Sequence, residues 1–491
     1  MNKLWRVWLL AILWCGGWWS AFAQTPKPAA QRKFALIARG KQISLALALA
    51  FCGVPMITVA RSQECRVQPV DYKGWKAQQV SNTWVKLTIV PQLGGRLMQV
   101  EFDGHPYLFV NPKFEGKYIP PEQAARKWIN YGGDKIWPMP EGNEDEAHWV
   151  LESATLDDRP YAFKVLEQGA RCTVELAGPA DATTGLQYTR QITLEARSPA
   201  IHFHAVMHNA TLHTLEWSVQ SVSQYSLASA KPSGGYNHQF WAYTAANANS
   251  AYLGRFHVRS GLSDDPSFSV KNELFRLHWM YLQNEVWVDS PGGWLAVADG
   301  ESGFGMIERF RFEPAATYPD KATVIFYKNG PAVEFNAAGD PEIQSRKLED
   351  TPYYMEAEIN SPLVTLDAGA SASLDTTWFP LRTGAEVKRV TEAGIVTQRL
   401  HLERNQSGLK LSGTFGVVAA GRLQLRIYDR SGRDAQRVDM DEVGPEHEVT
   451  LNRSIATAFP VSRVAVHLVD ATGGDWGILD EASVEESDKE N

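Results

Sequence analysis

The sequence has 491 residues and a formal net charge of −8, with 44% hydrophobic and 11% aromatic residues. The negative charge argues against nucleic-acid binding, which needs a basic surface to neutralise phosphates. The apolar content excludes a disordered chain, and four Cys in this length cannot make a disulfide scaffold. The average charge hides an asymmetry, because the first 63 residues contain eight basic and no acidic residues, which leaves −16 on the other 428.

The N-terminus has the three parts of an export signal. Lys3 and Arg6 precede an apolar run over residues 7–19, which ends in the small-x-small sequence Ala21-Phe22-Ala23. We therefore predict a signal peptide over residues 1–23. The alternative is a short membrane anchor, although the run falls short of the roughly 20 residues that span a bilayer.

A second apolar run, over residues 43–60, lies within the basic segment 24–65. It is interpreted either as a second signal-like segment or as a membrane anchor. In every version the acidic remainder is exported, to the periplasm or outside the cell, and meets a membrane only through an uncleaved N-terminal segment. In an oxidising compartment Cys65 and Cys172 either pair or stay as two free buried thiols.

From about residue 67 onward the pattern is β nearly throughout. Val85, Leu87 and Ile89 alternate with polar residues, and residues 97–102 run into Asp103-Gly104, which predicts a hairpin. Further strands are predicted over residues 161–167, 171–176, 186–194, 201–208 and 374–379. One helix is predicted over residues 121–128, with Pro121 in its first turn. So many strands predict a large antiparallel sandwich over residues 66–383.

Residues 384–482 have strands of their own, over 409–415, 423–427 and 464–468. They predict a small C-terminal β-sandwich. An acidic, solvated tail follows over residues 483–491.

The densest functional chemistry lies in residues 130–142, with the sequence NYGGDKIWPMPEG. Its two adjacent glycines let the backbone bend or approach a neighbour closely. Asp134 and Lys135 offer an acceptor and a donor for hydroxyl groups, and Trp137 offers a flat apolar face. Sugars need that mixture, since their C–H faces stack on aromatic rings while their hydroxyls bind charged partners. The alternative is a tight loop with an ion pair and a core Trp.

The order of several motifs resembles a known superfamily. Residues 94–104 (GGRLMQVEFDG) are similar to the opening strands of galactose mutarotase-like proteins, and residues 132–142 to a loop of their hexose-phosphate epimerase branch. More closely, residues 84–378 resemble the DUF4380 family. The matching segments are His208-Asn209, 216–220 (EWSVQ), 289–296 (DSPGGWLA), Tyr318-Pro319-Asp320, 354–358 (YMEAE) and 366–369 (LDAG). The resemblance implies an all-β galactose mutarotase-like supersandwich whose concave face binds carbohydrate.

The chain also departs from that pattern. Mutarotases use a His as general acid and a Glu as general base. Where that His is expected, this chain has Trp217-Ser218-Val219-Gln220, and His148 lacks the glycine and arginine that accompany the epimerase histidine. The resemblance therefore implies a sugar-binding face more safely than an epimerase reaction.

Carboxylates are the candidate acids and bases, and they are Asp134, Glu141, Asp289, Asp320, Glu356 and Glu358. Glu356 and Glu358 are two apart in a predicted strand, so their side chains point to the same face. On a concave face, with burial raising one pKa, such a pair serves acid–base chemistry. The alternative is a solvated outer face.

The candidate residues divide into two groups. Catalytic roles are predicted for Glu356, Asp134 and His148. Substrate contacts are predicted for Arg96, Asn130, Asp134, Lys135, Trp137, Trp217 and Gln220. For Arg96, beside the Gly94-Gly95 turn, the alternative is a structural ion pair.

His202 and His204 point to one face of a predicted strand, which is the spacing of two metal ligands. His208 lies roughly 13 Å further along the strand and cannot complete such a site. A polar sheet face is favoured, so we predict neither a metal nor a cofactor.

The leading hypothesis is an exported protein that binds a mono- or oligosaccharide. One alternative is an aldose epimerase, mutarotase or glycan-cleaving enzyme with a Glu/His acid–base pair. Another is a structural envelope protein that binds no ligand.

Overall fold

The computed structural model describes residues 64–124, 128–142, 149, 155–405 and 408–484. The predicted signal peptide, nearly all of the segment 24–65, His148 and most of the acidic tail lie outside the described residues. No helix within the described part is long and apolar enough to cross a membrane.

The main body is built almost entirely from strands, as the sequence predicts. In chain order they are β1 (Arg66–Tyr72), β2 (Trp75–Ser81), β3 (Val85–Val90), β4 (Arg96–Phe102), β5 (His105–Pro106), β6 (Asp134–Met139), β7 (Ala162–Glu167), β8 (Arg171–Ala177), β9 (Leu186–Glu195), β10 (Ile201–Asn209), β11 (Leu215–Ser226), β12 (Phe240–Ala245), β13 (His257–Ser260), β14 (Phe268–Lys271), β15 (Leu274–His278), β16 (Asn284–Val288), β17 (Trp294–Asp299), β18 (Phe304–Phe310), β19 (Val324–Lys328), β20 (Val333–Phe335), β21 (Pro341–Ile343), β22 (Tyr354–Asn360), β23 (Val364–Leu366) and β24 (Ser371–Arg382). A one-turn helix, α1 (Thr155–Asp158), and 3₁₀ turns at Pro112–Phe114, Leu253–Arg255 and Pro319–Lys321 complete it.

Two large antiparallel sheets form the sandwich. Sheet I has 12 strands in the order β1-β2-β3-β4-β6-β11-β22-β19-β16-β13, with β5 on β4 and β23 on β11. Sheet II has 10 strands in the order β14-β15-β12-β17-β18-β24-β10-β9-β8-β7. Strands β20 and β21 form a separate hairpin. The predicted all-β class and sandwich architecture are therefore confirmed.

The core lies between sheets I and II. In β9 and β10 buried residues alternate with half-buried ones along the whole strand, so one face of each is apolar. Residues such as Ile192 and Phe203 from sheet II meet Val219 and Phe326 from sheet I in one cluster. This burial is the main stabilising contribution to the sandwich.

The central strands of sheet I are buried on both faces. Every residue of β6 and β22, and nine consecutive residues of β11, are buried. One face of these strands packs on the core. The residues of the opposite, outer face must therefore be buried by their neighbours on that face and by the loops beside the sheet. The polar residues on that second face form the candidate site.

Two local predictions have different outcomes. Asp103 and Gly104 make the turn of the β4–β5 hairpin, with φ of 49° and 77°, as their sequence predicts. The helix predicted over residues 121–128 is wrong for its first half, because residues 121–124 form a turn. There the amides of Gln123 and Ala124 both bond to the carbonyl of Pro120, which closes a tight turn instead.

The C-terminal strands form two further sheets. They are β25 (Arg389–Thr391), β26 (Gly394–Asn405), β27 (Gly408–Val417), β28 (Gly421–Asp429), β29 (Asp434–Val443), β30 (Val449–Ala456), β31 (Val461–Asp470) and β32 (Asp475–Ser483). Their sheet orders are β25-β26-β27-β30 and β29-β28-β31-β32. Ile395 and Leu425 from these strands share an apolar cluster with Tyr243, Ile307 and Leu381, so the small sandwich packs on the outer face of sheet II.

A disulfide joins the two large sheets. Cys65, which directly precedes β1 of sheet I, is bonded to Cys172 in β8 of sheet II, with 5.8 Å between their Cα atoms. It ties edge regions of the two sheets together and closes a chain segment of 107 residues.

We expect Cys172→Ser to lower the free energy of unfolding by about 2–5 kcal/mol, because the long loop gains freedom in the unfolded chain. Urea denaturation of the purified protein measures this. Cys65→Ser and the double variant should give the same loss, and reduction with dithiothreitol should reproduce it. A loss in the double variant that is the sum of two single losses would contradict the bond.

Candidate functional site

The outer face of sheet I contains a cleft of about 350 Å³. The residues that line it come from six neighbouring strands and the loops beside them: Trp128, Trp137, Met139, Glu141, Gly142, Gln220, Arg259, Ser260, Gln283, Glu285, Trp287, Ile325, Tyr327, Tyr354, Glu356 and Glu358. Four of them are carboxylates and five are large aromatic residues, so the cleft combines acidic groups with flat apolar walls.

Strand pairing sets the layout of the floor. Glu358 lies opposite Ile325, which lies opposite Trp287, which lies opposite His257 on the edge strand β13. Beside this row, Glu356 lies opposite Tyr327. Since residues two apart on a strand share a face, both rows belong to the outer face.

Glu356 is held by two donors. The Lys135 ammonium lies 2.9 Å from its Oε1, and Gln224 Nε2 donates to the same oxygen at 2.6 Å. Lys135 is 2% exposed, and its ammonium also lies 4.1 Å from the centre of the Trp137 ring. The ion pair is thus buried and satisfied, as a charged pair away from water must be.

Glu358 has a different environment from Glu356. Within the described residues its hydrogen-bond partner is Gln220, whose Nε2 donates to Oε2 at 2.6 Å. Burial and the neighbouring Glu356, Glu285 and Glu141 raise the pKa of Glu358 well above its ordinary value. One carboxyl of this strand face is thus paired with a cation and the other has a raised pKa, a contrast of environments that acid–base chemistry uses.

Two further carboxylates lie at the sides of the cleft. Glu141 is open to solvent in the cleft yet surrounded by protein atoms, and this partial desolvation, with Glu285 and Glu356 nearby, raises its pKa to about 7. Burial also raises the pKa of Glu285, although the hydrogen bond from the indole N–H of Trp287 and the charge of Arg259 act to lower it. The cleft thus holds protons near neutral pH.

The accessible aromatic walls are Trp128, Trp287 and Tyr327, which are half-buried, whereas Trp137 is only 3% exposed. Trp287 packs on Met139 and Ile325, so its ring has one supported side. A ring that is held by such packing and is still partly exposed suits the apolar face of a flat ligand.

One buried carboxylate orients the Trp128–Trp137 corner. Asp157, at the end of α1, accepts hydrogen bonds from the indole N–H groups of Trp128 and Trp137, both at 2.9 Å. It also accepts from Arg96 Nη2 at 2.5 Å. A Cβ on Gly94 would lie 1.8 Å from the Asp157 carbonyl oxygen, so only glycine permits this approach.

The structure separates the predicted site residues. Glu356, Gln220 and Trp137 line the cleft. The side chain of Lys135 reaches the cleft floor, where it pairs with Glu356. Glu356 and Glu358 share one face, as their spacing predicts, and that face is the buried cleft floor.

Arg96 and Asp134 do not line the cleft. Arg96 is fully buried between Asp157, Asp158 and the carbonyl of Gly132, so the alternative of a structural ion pair describes its placement. Asp134 faces the core, because strand alternation turns it away from Lys135, and it pairs with Arg190 of sheet II at 2.5 Å.

The remaining predicted contacts also lie elsewhere. Asn130 uses its side chain to cap the Gly132 amide at 3.0 Å, and Trp217 lines a separate pocket beside Leu363. His148 lies outside the described residues. The predicted roles of these three residues remain predictions.

Glu285, Tyr327 and Arg259 also line the cleft, and the sequence did not predict them as site residues. Glu285 and Trp287 alternate with Val286 and Val288, a pattern that indicates one polar and one apolar strand face. This alternation predicts that Glu285 lies on the polar face of a strand, but it does not predict which strands are neighbours in the sheet.

His202 and His204 lie on sheet II, away from the cleft. Their Nδ1 atoms contact Thr377 Oγ1 at 3.2 Å and Asp375 Oδ1 at 2.7 Å. Within the described ranges, no three His, Cys, Asp or Glu side chains are grouped for a metal ion.

No protein-family model matches the sequence, and no curated protein matches it significantly. Solved structures do match. A TPR-domain containing protein from Parabacteroides distasonis is 12% identical with a TM-score of 0.40, over 64% of this chain and 53% of its own. A putative mutarotase from Salmonella typhimurium is 11% identical with a TM-score of 0.44, over 64% of this chain and 94% of its own. A galactose mutarotase-like protein from Clostridium acetobutylicum is 10% identical with a TM-score of 0.41, over 66% and 100%.

These neighbours include members of the galactose mutarotase-like superfamily that the sequence resembles. This chain spans about half the length of the Parabacteroides protein. At such low identities and scores, the neighbours carry no information about what this chain binds, and the likeness to the DUF4380 family stays a prediction.

The buried acids predict a stability that falls as pH rises. The pKa is raised to about 8 for Glu308 and Asp158, chiefly by burial. The folded state therefore binds more protons than the unfolded chain above the ordinary carboxyl pKa, and it loses this advantage as pH passes the raised values.

Between about pH 6.5 and about pH 8 we expect the free energy of unfolding to fall by about 2–4 kcal/mol, of which Glu308→Gln should remove about 1.5 kcal/mol. Urea titrations at several pH values measure the slope. Glu175→Gln, a half-buried acid on sheet II, is the control and should leave the slope unchanged. A stability that rises across this window would refute the protonated acids.

Proposed function

We propose that this chain is an exported carbohydrate-binding protein, and that the cleft on the outer face of sheet I is its binding site. The observation that carries the proposal is one cleft lined both by Glu356, Glu358 and Gln220 and by the rings of Trp128 and Trp287. Carboxylates and amides bind hydroxyl groups with strong hydrogen bonds, and aromatic faces take the C–H side of a sugar ring.

The size and openness of the cleft support a small ligand. Its volume of about 350 Å³ falls at the lower end of ordinary small-molecule sites. The edge strand β13 contributes the exposed Arg259 and Ser260, so the cleft opens at that side. A monosaccharide, or the end of an oligosaccharide, fits this description.

Export is supported from two sides. The N-terminal sequence has the parts of a signal peptide. The Cys65–Cys172 disulfide suits an oxidising compartment outside the cytoplasm. Cell fractionation with N-terminal sequencing of the mature protein tests export, and a cytoplasmic, uncleaved chain with free thiols would refute it.

A ring-wall variant tests sugar binding. Trp287→Ala removes one accessible aromatic wall, and we expect it to weaken binding about 2- to 10-fold because the stacking contact is lost. A glycan array identifies a ligand for the full protein, and isothermal titration calorimetry compares the variants. Trp241→Ala, which removes a half-buried Trp from sheet II, should bind like the unchanged protein. If no mono- or oligosaccharide binds, the proposal fails.

A second candidate is acid–base chemistry on the bound sugar, as in epimerisation or glycoside cleavage. It is favoured by the contrast between Glu356, paired with Lys135, and Glu358, whose pKa is raised. The Glu/His pair of the sequence hypothesis has no histidine among the described residues that line the cleft. The chemistry would therefore use two carboxyls, Glu358 as acid and a second carboxylate as base.

If the cleft is catalytic, Glu358→Gln should lower kcat at least about 100-fold, because the amide keeps the shape but cannot give up a proton. Mutarotation and product release from the array-identified sugar measure turnover. Glu175→Gln serves as the control. Unchanged turnover in Glu358→Gln would exclude Glu358 as the acid.

A further inference from the structure

Four carboxylates line the cleft of sheet I, and the described cations form an ion pair with one of them, Glu356. Lys135 is bound to Glu356. Arg259 lies at the exposed end, with its guanidinium 5.5 Å from the centre of the Trp287 ring, and its charge acts on Glu285 and Glu141. Among the described residues no ion pair reaches Glu358. A ligand that brings positive charge to the floor would favour the ionised form of that carboxyl, whose pKa is otherwise raised.

Gln220 gives a second and independent indication. Its side chain is 1% exposed at the cleft floor, where Nε2 donates to Glu358. Its Oε1 is a buried acceptor with no hydrogen-bond partner in the described part of the chain. Leaving a buried acceptor unpaired is costly, so the floor calls for a donor, either directly or through a bound water.

The acceptors at the floor distinguish between ligand classes. An ammonium group has three donors and no acceptor, whereas a hydroxyl has both and a carboxylate or phosphate has acceptors only. An anionic sugar would therefore meet like charge. The protein's own cations already lie near two of the aromatic walls, Lys135 at 5.6 Å from the centre of the Trp128 ring and Arg259 at 5.5 Å from that of Trp287, so these rings are assigned to the apolar face of the ligand.

We propose that the cleft is specific for an amino sugar, whose protonated amine binds at Glu358 and Gln220 while its ring lies against the aromatic wall. This inference rests on the proposed carbohydrate function and adds the charge class of its ligand. The N-acetylated form of the same sugar lacks the positive charge and is disfavoured.

The charged and titratable groups that face Glu358 are Glu356, Glu285, Glu141, Lys135, Arg259, Tyr327 and Tyr354. An ammonium group that binds beside Glu358 favours the ionised carboxyl, whose pKa is otherwise raised, so binding releases a proton from the cleft and becomes easier as pH rises towards neutral. Affinity for the amino sugar should therefore rise over this range, and affinity for a neutral sugar should not.

The test uses sets of sugars that differ only in charge. D-glucosamine, D-galactosamine and D-mannosamine are each compared by calorimetry with the parent hexose and the N-acetyl derivative, on the full protein. We expect one amino sugar to bind at least about tenfold tighter than both of its neutral partners, as one charge-assisted hydrogen bond implies. If the neutral sugars bind equally well or better, the inference is overturned and the carbohydrate function stands. If no sugar binds, both fail.

Paired variants locate the amine. Glu358→Gln removes the carboxyl that ionises against the amine, with little change in shape, and it should abolish the tenfold preference. Glu175→Gln makes the same change at a Glu–Gln pair on sheet II, where Gln191 donates to Glu175 at 3.0 Å, and should keep the preference. Far-ultraviolet circular dichroism checks that both variants fold. A preference that survives in Glu358→Gln refutes the assigned amine position.

Discussion

The burial of both faces at the centre of sheet I governs the polar side chains of β6, β11 and β22. A charge held away from water is costly unless it is paired. On the core face Asp134 pairs with Arg190 of sheet II, and on the outer face the next residue, Lys135, pairs with Glu356. Neighbouring residues of one strand therefore serve two different parts of the molecule. The core-face pair joins the sheets, and the outer-face pair forms the cleft floor.

The buried Asp157 extends this constraint from the sheet to the loops. It receives donors from Arg96, Trp128 and Trp137, so one carboxylate fixes a strand end and two indole rings together. Asp158 lies beside it, and its raised pKa, about 8, follows from burial next to the charge of Asp157. A protonated Asp158 leaves Arg96 with one charged partner. The aromatic corner of the cleft is thus oriented by an ion pair that does not itself line the cleft.

The sequence predicts the strands well and the cleft only in part. Alternation identifies strands and the shared face of Glu356 and Glu358, because both are properties of one segment. It does not separate Arg96, which serves Asp157, from a ligand contact, since both roles use a buried donor beside a turn. Glu285 was missed because its place in the cleft depends on the order β22-β19-β16. That order comes from pairing between distant segments, which no local pattern encodes.

The stability cost of each buried acid separates structural from functional roles. Glu308 is buried in the core, where the hydroxyls of Ser223 and Tyr225 donate to it, and Asp134 gains a partner that ties the two sheets. Among the described residues Glu358 has one hydrogen-bond partner, the Gln220 amide, and it is near three other acids, so its burial adds little to the stability of the fold. Strained or unfavourable groups of this kind concentrate where a ligand completes them. The same reasoning explains why an ammonium ligand suits this floor, since it supplies the charge and the donors that the folded chain does not.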